Sequence, residues 1–181
     1  HELVNASLEG RGVQVLTSDI PIHHYAYTRP PARLAEKQEL YLQLGHQKVK
    51  AEPGTKAYAE LGDQYTDVRD YASAAAAYRE SLKLDPSNPV VMRSLGAVLH
   101  LLKRSEEAKR ALRVALQLDP GMSEAWRNLG VIYADEKSWL LSIDCFEQAL
   151  SLDPAWDEGH RYLAVALEGA GRLPEAAQAA E

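Results

Sequence analysis

The hydrophobic positions from residue 55 onward follow the period of an α-helix and recur as a unit of 34 residues. Tyr58, Leu61 and Tyr65 fall three or four residues apart, which places them on one face of a helix, and Ala74 and Tyr78 begin a second such stretch. Each unit therefore predicts a pair of helices. Three complete units and one partial unit follow one another: residues 55–88, 89–122, 123–156 and 157–181.

A few positions of the unit carry the same kind of residue each time. Glycine at the eighth position and a small residue at the twentieth remove side chain where two helices cross, so the axes can approach closely. Proline after Leu-Asp ends the second helix, because it lacks an N–H donor and disfavours helical geometry in the preceding residue. These residues are Gly62, Gly96 and Gly130; Ala74, Ala108, Ser142 and Ala176; and Pro86, Pro120 and Pro154.

This pattern resembles the tetratricopeptide repeat (TPR), a family of helical hairpins with a period of 34 residues. The Leu-Gly pair, the small residue, the bulky residue four positions later and the closing proline all match that family's pattern. The resemblance implies a mainly α fold in which neighbouring hairpins share a continuous core. It also implies a right-handed superhelix with a concave groove that binds protein.

In that family the first helix of each pair lines the groove, with the second, fifth, ninth and twelfth or thirteenth positions pointing inward. The resemblance therefore places Arg93, Arg127 and Arg161, all at the fifth position, along the groove. We group His100 and Asn128 with them as candidate ligand-binding residues. Guanidinium groups suit carboxylates and phosphates. We expect the ligand to be a protein segment or an acidic, extended peptide.

Two other interpretations of the three arginines stay open. In one, each arginine pairs with a nearby acid and only solvates the face, since surface charges usually lack a dedicated function. In the other, the arginines bind a phosphate or an acidic saccharide. The nearby acids are Glu124, Asp135, Glu158 and Glu168.

A grip on the terminal carboxylate of a chaperone is disfavoured. The family's pattern for that ligand needs lysine and asparagine at the fifth and ninth positions of the first unit. Ala59 and Asp63 occupy these positions here. The sequence therefore predicts a different ligand from that of the chaperone co-factors.

The segment before the array has another character. Residues 13–16 and 20–27 are rich in β-branched and aromatic residues, which is typical of short strands. Pro30 and Pro31 then precede residues 32–50, whose leucines suggest a helix packed on the first repeat: Leu34, Leu40, Leu42 and Leu44. We assign residues 31–54 to this linker. Thirty residues are too few for an independent sheet domain, so residues 1–30 are interpreted as the end of another domain.

A second resemblance concerns this segment. "HELV" at residues 1–4 and "IHHYAYTRP" at residues 22–30 resemble the end of bacterial family 2 glycosyltransferases, although Ala26 stands where that family usually has glycine. The resemblance implies a parent enzyme that inverts the sugar of a nucleotide-sugar donor with a divalent metal, Mn or Mg, while this chain itself is non-catalytic. It makes His1 and Glu2 candidate metal ligands. The alternative is that His1, His23 and His24 have no such role.

Composition narrows the function further. A net charge of -6 argues against binding to nucleic acid. Cys145 is the only cysteine, so no disulfide forms within the chain, and no apolar run is long enough to span a membrane. We therefore expect a cytoplasmic protein without a cofactor in this chain. Since it begins at His1 without methionine, we expect a piece of a longer protein.

The expected function is a protein-interaction scaffold attached to a glycosyltransferase of family 2 type. The alternative is a free-standing TPR adaptor without sugar chemistry. Leu173, Ala176 and Ala177 in the partial unit predict an exposed apolar face, which suggests self-association as a further possibility.

Overall fold

The computed structural model of the chain describes residues 31–179, with side chains from residue 36 onward. The described part contains helices and turns, and no strand. Its helices are α1 (Pro31–Ala51), α2 (Thr55–Asp67), α3 (Tyr71–Leu84), α4 (Pro89–Leu101), α5 (Ser105–Leu118), α6 (Ser123–Asp135), α7 (Trp139–Leu152), α8 (Gly159–Gly169) and α9 (Leu173–Ala179). The predicted strands in residues 13–16 and 20–27 lie outside the described residues, as does the assignment of residues 1–30.

Helices α2 to α9 form four successive hairpins within the compact unit of residues 35–181. Each first helix packs on the second helix of its own repeat, and each second helix packs on the first helix of the next. The second helices of the complete repeats end at Leu84, Leu118 and Leu152, immediately before Asp-Pro. The predicted TPR fold is thus confirmed.

The turn inside each hairpin has a left-handed residue at one fixed position. Arg69, Lys103 and Lys137 have φ of 62°, 61° and 59°, and Gly171, at the same position of the fourth repeat, has φ of 77°. The next residue closes the turn by donating back to the first helix, as Asp70 N does to Tyr65 O at 2.9 Å. Each first helix therefore ends at a residue in the left-handed conformation, a position that glycine usually occupies.

Each hairpin is held by a bulky side chain placed against the glycine of its first helix. Tyr78, Leu112 and Phe146 are 2%, 0% and 0% exposed. A Cβ built on Gly130 would lie 2.4 Å from Phe146 Cε1, and one built on Gly62 would lie 2.5 Å from Tyr78 Cε1. The predicted close approach is confirmed, and the ring occupies the space that the missing side chain leaves.

The linker helix α1 covers the predicted residues 32–50. Its contact with α2 runs through Gly45, which lies against Gln64 and Leu61, and through a 2.8 Å hydrogen bond between Tyr65 Oη and His46 Nε2. Leu40 and Leu44, by contrast, are exposed. The helix packs on the first repeat as predicted, and Leu42 is half-buried, but Leu40 and Leu44 do not belong to the packing face, because the face carrying the small Gly45 is the one that approaches the repeat.

The partial fourth repeat differs from its prediction at one residue. Leu173 and Ala177 are exposed as expected, but Ala176 is buried, packed with Ile143 and Leu167. It fills the small-residue position as Ala74 and Ala108 do, since α9 folds back on α8 like the other second helices.

We expect Gly130→Ala to lower the free energy of unfolding by about 1–3 kcal/mol, because the added methyl group forces the Phe146 ring out of its place. At an exposed helix position the same change would instead stabilise by about 1 kcal/mol. Denaturant unfolding measures the difference. In a Phe146→Ala background the loss should be smaller, because the ring atoms that meet the added methyl group are gone, whereas leucine would still fill this space as Leu112 does beside Gly96. An equal loss in both backgrounds would contradict this account.

Candidate functional site

The first helices of the repeats lie side by side, with α4 in direct contact with α6. Two clefts open between them. The first, of about 360 Å³, lies between α2, α3 and α4, and the second, of about 190 Å³, lies between α4 and α6. Ala97 and Leu101 line both clefts. The two clefts therefore join into one surface, which we call the groove.

Arg93 lines the first cleft and is half-buried there. It makes no ion pair with a carboxylate of residues 36–179. Asp63 and Asp67 line the same cleft. Tyr78 donates a hydrogen bond of 2.7 Å to Asp63 Oδ1, and burial, assisted by Asp63, raises the pKa of this phenol so that it keeps its proton.

Arg127 has another environment, although it occupies the same position in its repeat. Its Nη2 forms an ion pair with Asp153 Oδ2, and its guanidinium carbon lies 4.6 Å from the centre of the Trp156 ring. Its Nε is buried without a hydrogen-bond partner in the described part of the chain. Arg127 thus joins α6 to the loop after α7, and its guanidinium group already has a carboxylate partner.

Arg93 and Arg127 differ because the loop residues that hold Arg127 have different counterparts in the preceding repeat. For Arg93 the equivalents are Asp119 and Met122. Asp119 Oδ1 accepts a hydrogen bond from Gly121 N at 3.0 Å, and Met122 offers no aromatic face. Arg93 therefore lacks both contacts that hold Arg127.

Arg161 lies on the surface of the fourth repeat with its side chain 69% exposed. It pairs with Glu158 at 3.0 Å, and its guanidinium carbon is 5.6 Å from the centre of the Tyr162 ring. This pairing is the one that the solvating interpretation expects. Among the three arginines, Arg93 is the one without a carboxylate partner in residues 36–179, so its guanidinium group can bind a ligand.

His100 and Asn128 line the second cleft together with Val131. His100 Nε2 lies 3.4 Å from Asp135 Oδ2, while Nδ1 is buried and has no hydrogen-bond partner within residues 36–179. The sequence-predicted residues Arg93, His100 and Asn128 thus share the groove. Sequence reasoning missed Leu101, whose side chain links the two clefts and is exposed; its position, the thirteenth, is one that points inward in the family.

Other chemistry in the described part of the chain is limited. Desolvation by burial raises the pKa of Cys145 to about 12, so this thiol stays protonated at neutral pH. Residues 31–179 contain no group of three metal-ligating side chains, and none of their helices is suited to crossing a membrane. The candidate metal ligands His1 and Glu2 lie outside the described residues and stay a prediction.

Solved structures with similar folds come from several proteins. MamA superposes with a TM-score of 0.74 at 22% identity, over 81% of this chain and 86% of that chain. Pseudomonas aeruginosa pilF gives 0.67 at 25% identity, over 80% and 74%. The first TPR of Spaghetti (RPAP3), bound to the HSP90 peptide SRMEEVD, gives 0.63 at 20% identity, over 65% and 93%. No curated protein matches the chain significantly.

Two family models, both described as tetratricopeptide repeat, match residues 59–123 and residues 123–156. Together they cover more than half of the 181 residues. Neither reaches residues 1–30, so the resemblance of that segment to glycosyltransferases stays a prediction. Through its residues 59–156, with their period of 34 and their stacked helix pairs, this chain belongs to the tetratricopeptide repeat family.

Proposed function

We propose that this TPR array is a protein-interaction scaffold whose groove binds an extended segment with an acidic side chain next to an aliphatic one. The observation that carries the proposal is Arg93, a half-buried residue that lines a cleft and makes no ion pair with the described residues. A partly desolvated guanidinium forms strong, paired hydrogen bonds with a carboxylate. A ligand carboxylate is the partner that it lacks.

The neighbouring carboxylates set the direction from which an acidic side chain approaches. Asp63 and Asp67 line the α2 side of the first cleft and repel a second acid. The lining of the second cleft, which shares Ala97 and Leu101 with the first, includes no carboxylate. The acidic side chain of the ligand therefore reaches Arg93 from the side of His100 and Asn128.

The floor beside Arg93 suits an aliphatic side chain. Ala97, Leu101 and Val131 line the second cleft, and Leu101 is an exposed apolar residue. Covering this surface removes apolar area from water, which favours binding. The amide of Asn128 both donates and accepts hydrogen bonds, so it can bind the backbone of an extended peptide.

A short acidic ligand has a precedent among proteins of this fold. The peptide in the RPAP3 structure, SRMEEVD, contains three acidic residues. Ala59 and Asp63 replace the lysine and asparagine that the carboxylate grip of the chaperone co-factors requires, so we place the acidic contact at Arg93 instead. The ligand's side chain, rather than its carboxy-terminus, is then the group that is recognised.

The setting of this scaffold in a longer protein is a separate proposal. Attachment to a family 2 glycosyltransferase rests on the motifs at residues 1–4 and 22–30 alone. A free-standing TPR adaptor agrees equally well with the repeats. The groove has the same role in both settings, because its residues all lie after residue 55.

We expect an amidated peptide of alternating glutamate and leucine to bind the chain, and Arg93→Ala to weaken this binding about tenfold through the loss of charge-assisted hydrogen bonds. Fluorescence anisotropy with the labelled peptide measures the dissociation constant. Arg161→Ala is the matched control and should change it less than about twofold, since surface ion pairs contribute little. Two results would exclude the proposed contact. One is equal binding of the peptide by the wild type and by Arg93→Ala. The other is equal binding, by the wild type, of the glutamate peptide and of a version in which glutamine replaces each glutamate.

We expect the two arginines to differ in their effect on stability. Arg127→Ala should lower the free energy of unfolding by about 1 kcal/mol, because it removes the ion pair with Asp153 and the contact with Trp156. Arg93→Ala should lower it by less than about 0.5 kcal/mol. Denaturant unfolding of both variants measures the difference, and similar losses would show that Arg93 is as much a structural residue as Arg127.

The enzyme setting predicts metal-dependent turnover. Under this proposal the full-length protein that contains this chain should release nucleoside diphosphate from a nucleotide-sugar in the presence of manganese, because a divalent cation neutralises the leaving diphosphate. A coupled assay over several donors measures the release. No turnover with a folded protein would favour the free-standing adaptor.

A further inference from the structure

The first turn of α7 exposes two leucines outside the groove. Leu140 and Leu141 are 66% and 48% exposed, and they follow the half-buried Trp139. Exposed leucines are common singly, but neighbouring ones form a patch that calls for an explanation. Because this turn belongs to a second helix, the patch lies outside the surface that the first helices form.

The repeats themselves show that these leucines are exceptional. Other exposed leucines, at residues 84, 118 and 152, recur every 34 residues and belong to the repeat pattern. The positions of Leu140 and Leu141 carry no bulky apolar residue in the other three repeats. Their counterparts are Ala72 and Ser73, Glu106 and Glu107, and Pro174 and Glu175. The fold therefore does not require leucine at either position.

Two further clefts flank this turn and share one of its leucines. The first, of about 440 Å³, is lined by residues 137–141 of the α7 start and by Gly169 and Ala170. The other, of about 450 Å³, which we call the Trp126 cleft, is lined mainly by apolar side chains of α5, α6 and α7, including Trp126 and Leu129. Leu141 lines both clefts. We call Leu140, Leu141 and the two clefts the α7 patch.

One repeat earlier, the equivalent positions hold an ion pair. There Arg79 on α3 lies 3.5 Å from Glu107 on α5. In the α7 patch the same two positions hold Arg113 and Leu141, so the ion pair cannot form. Arg113 instead donates a hydrogen bond of 2.6 Å to Tyr133 Oη. Because leucine replaces the acid, the Trp126 cleft has an apolar edge at Leu141. Arg113, which also lines this cleft, has no carboxylate partner at that position.

The charges around the patch favour an acidic partner. Arg113 and Lys137 line its two clefts, and neither makes an ion pair with residues 36–179. Asp144 is the one acid in either lining. Two cations against one anion give the patch a positive excess in a chain whose net charge is -6. A complementary surface is therefore apolar in the middle and acidic at its edges.

We propose that the α7 patch is a second interaction surface, which binds an amphipathic helix of a partner protein with acidic residues beside its apolar face. A helix presents apolar side chains three or four residues apart, and these can enter neighbouring clefts on either side of Leu141. Its acidic residues then face Arg113 and Lys137. The surface is separate from the groove and its ligand.

The test uses two labelled peptides of about 20 residues, long enough to form a helix in water. Both carry leucines at four-residue spacing, and one is flanked by glutamate and the other by lysine. Anisotropy titration of the whole chain should show at least tenfold tighter binding of the glutamate peptide. Equal binding of the two peptides would overturn the charge assignment.

Leu141→Glu is the decisive variant, because the second and fourth repeats already carry glutamate at this position. It also places an acid three residues after Ser138, which precedes α7, so the helix start gains a capping pair and the fold should be retained. The variant should bind the glutamate peptide at least tenfold more weakly. Leu152→Glu, at the exposed end of the same helix, is the matched control and should bind like the wild type.

Two results would overturn the proposal. One is unchanged binding of the glutamate peptide by Leu141→Glu with a normal circular dichroism melting curve. The other is self-association of the wild-type chain without peptide, measured by sedimentation velocity and abolished by Leu141→Glu, which would assign the patch to a second copy. Loss of peptide binding in Leu141→Glu, with the melting curve unchanged and the chain monomeric throughout, is the supporting result.

Discussion

The contact between a glycine of the first helix and a ring or leucine of the second is the constraint on which the array depends. At Gly130 the space for a Cβ is taken by Phe146, and Tyr78 and Leu112 occupy the same space in the two preceding repeats. Since no methyl group fits there, the two helices keep one rotation about their axes. That rotation places the ninth position of the first three repeats, held by Asp63, Ala97 and Val131, in the groove.

The fold could be predicted because these contacts recur at a fixed period, and the period identifies them without any structure. The left-handed turn residues could not, since Arg69, Lys103 and Lys137 are not glycines and only Gly171 carries the expected signal. The packing face of α1 also escaped prediction. In α1, which lies outside the repeats, the positions of the leucines do not identify the face that contacts α2. The small residue Gly45 marks that face, because it lets the two helices approach closely.

The groove was predictable in its position but not in the state of its arginines. Arg93 and Arg127 have the same place in the repeat, yet Trp156 and Asp153 hold one while their equivalents, Met122 and Asp119, leave the other available. The deciding residues lie about 30 positions further along the chain, in the loop after the second helix. A row of identical residues in a repeat protein is therefore not a row of identical sites, because each one contacts a loop that the fold leaves variable.

Function in such an array is located at positions that the repeat does not constrain. The constrained positions are occupied by the buried small and bulky residues, and changing them costs stability throughout the hairpin. The unconstrained positions differ between repeats: Glu107 and Leu141, for example, occupy one position in successive repeats. Helix α6 contributes Asn128 and Val131 to the groove and Trp126 and Leu129 to the cleft beside α7. One helix thus carries parts of two surfaces, and a ligand on either should leave the packing beneath the other unchanged, because Leu129, Ile132 and Tyr133 anchor this helix in one cluster of buried residues.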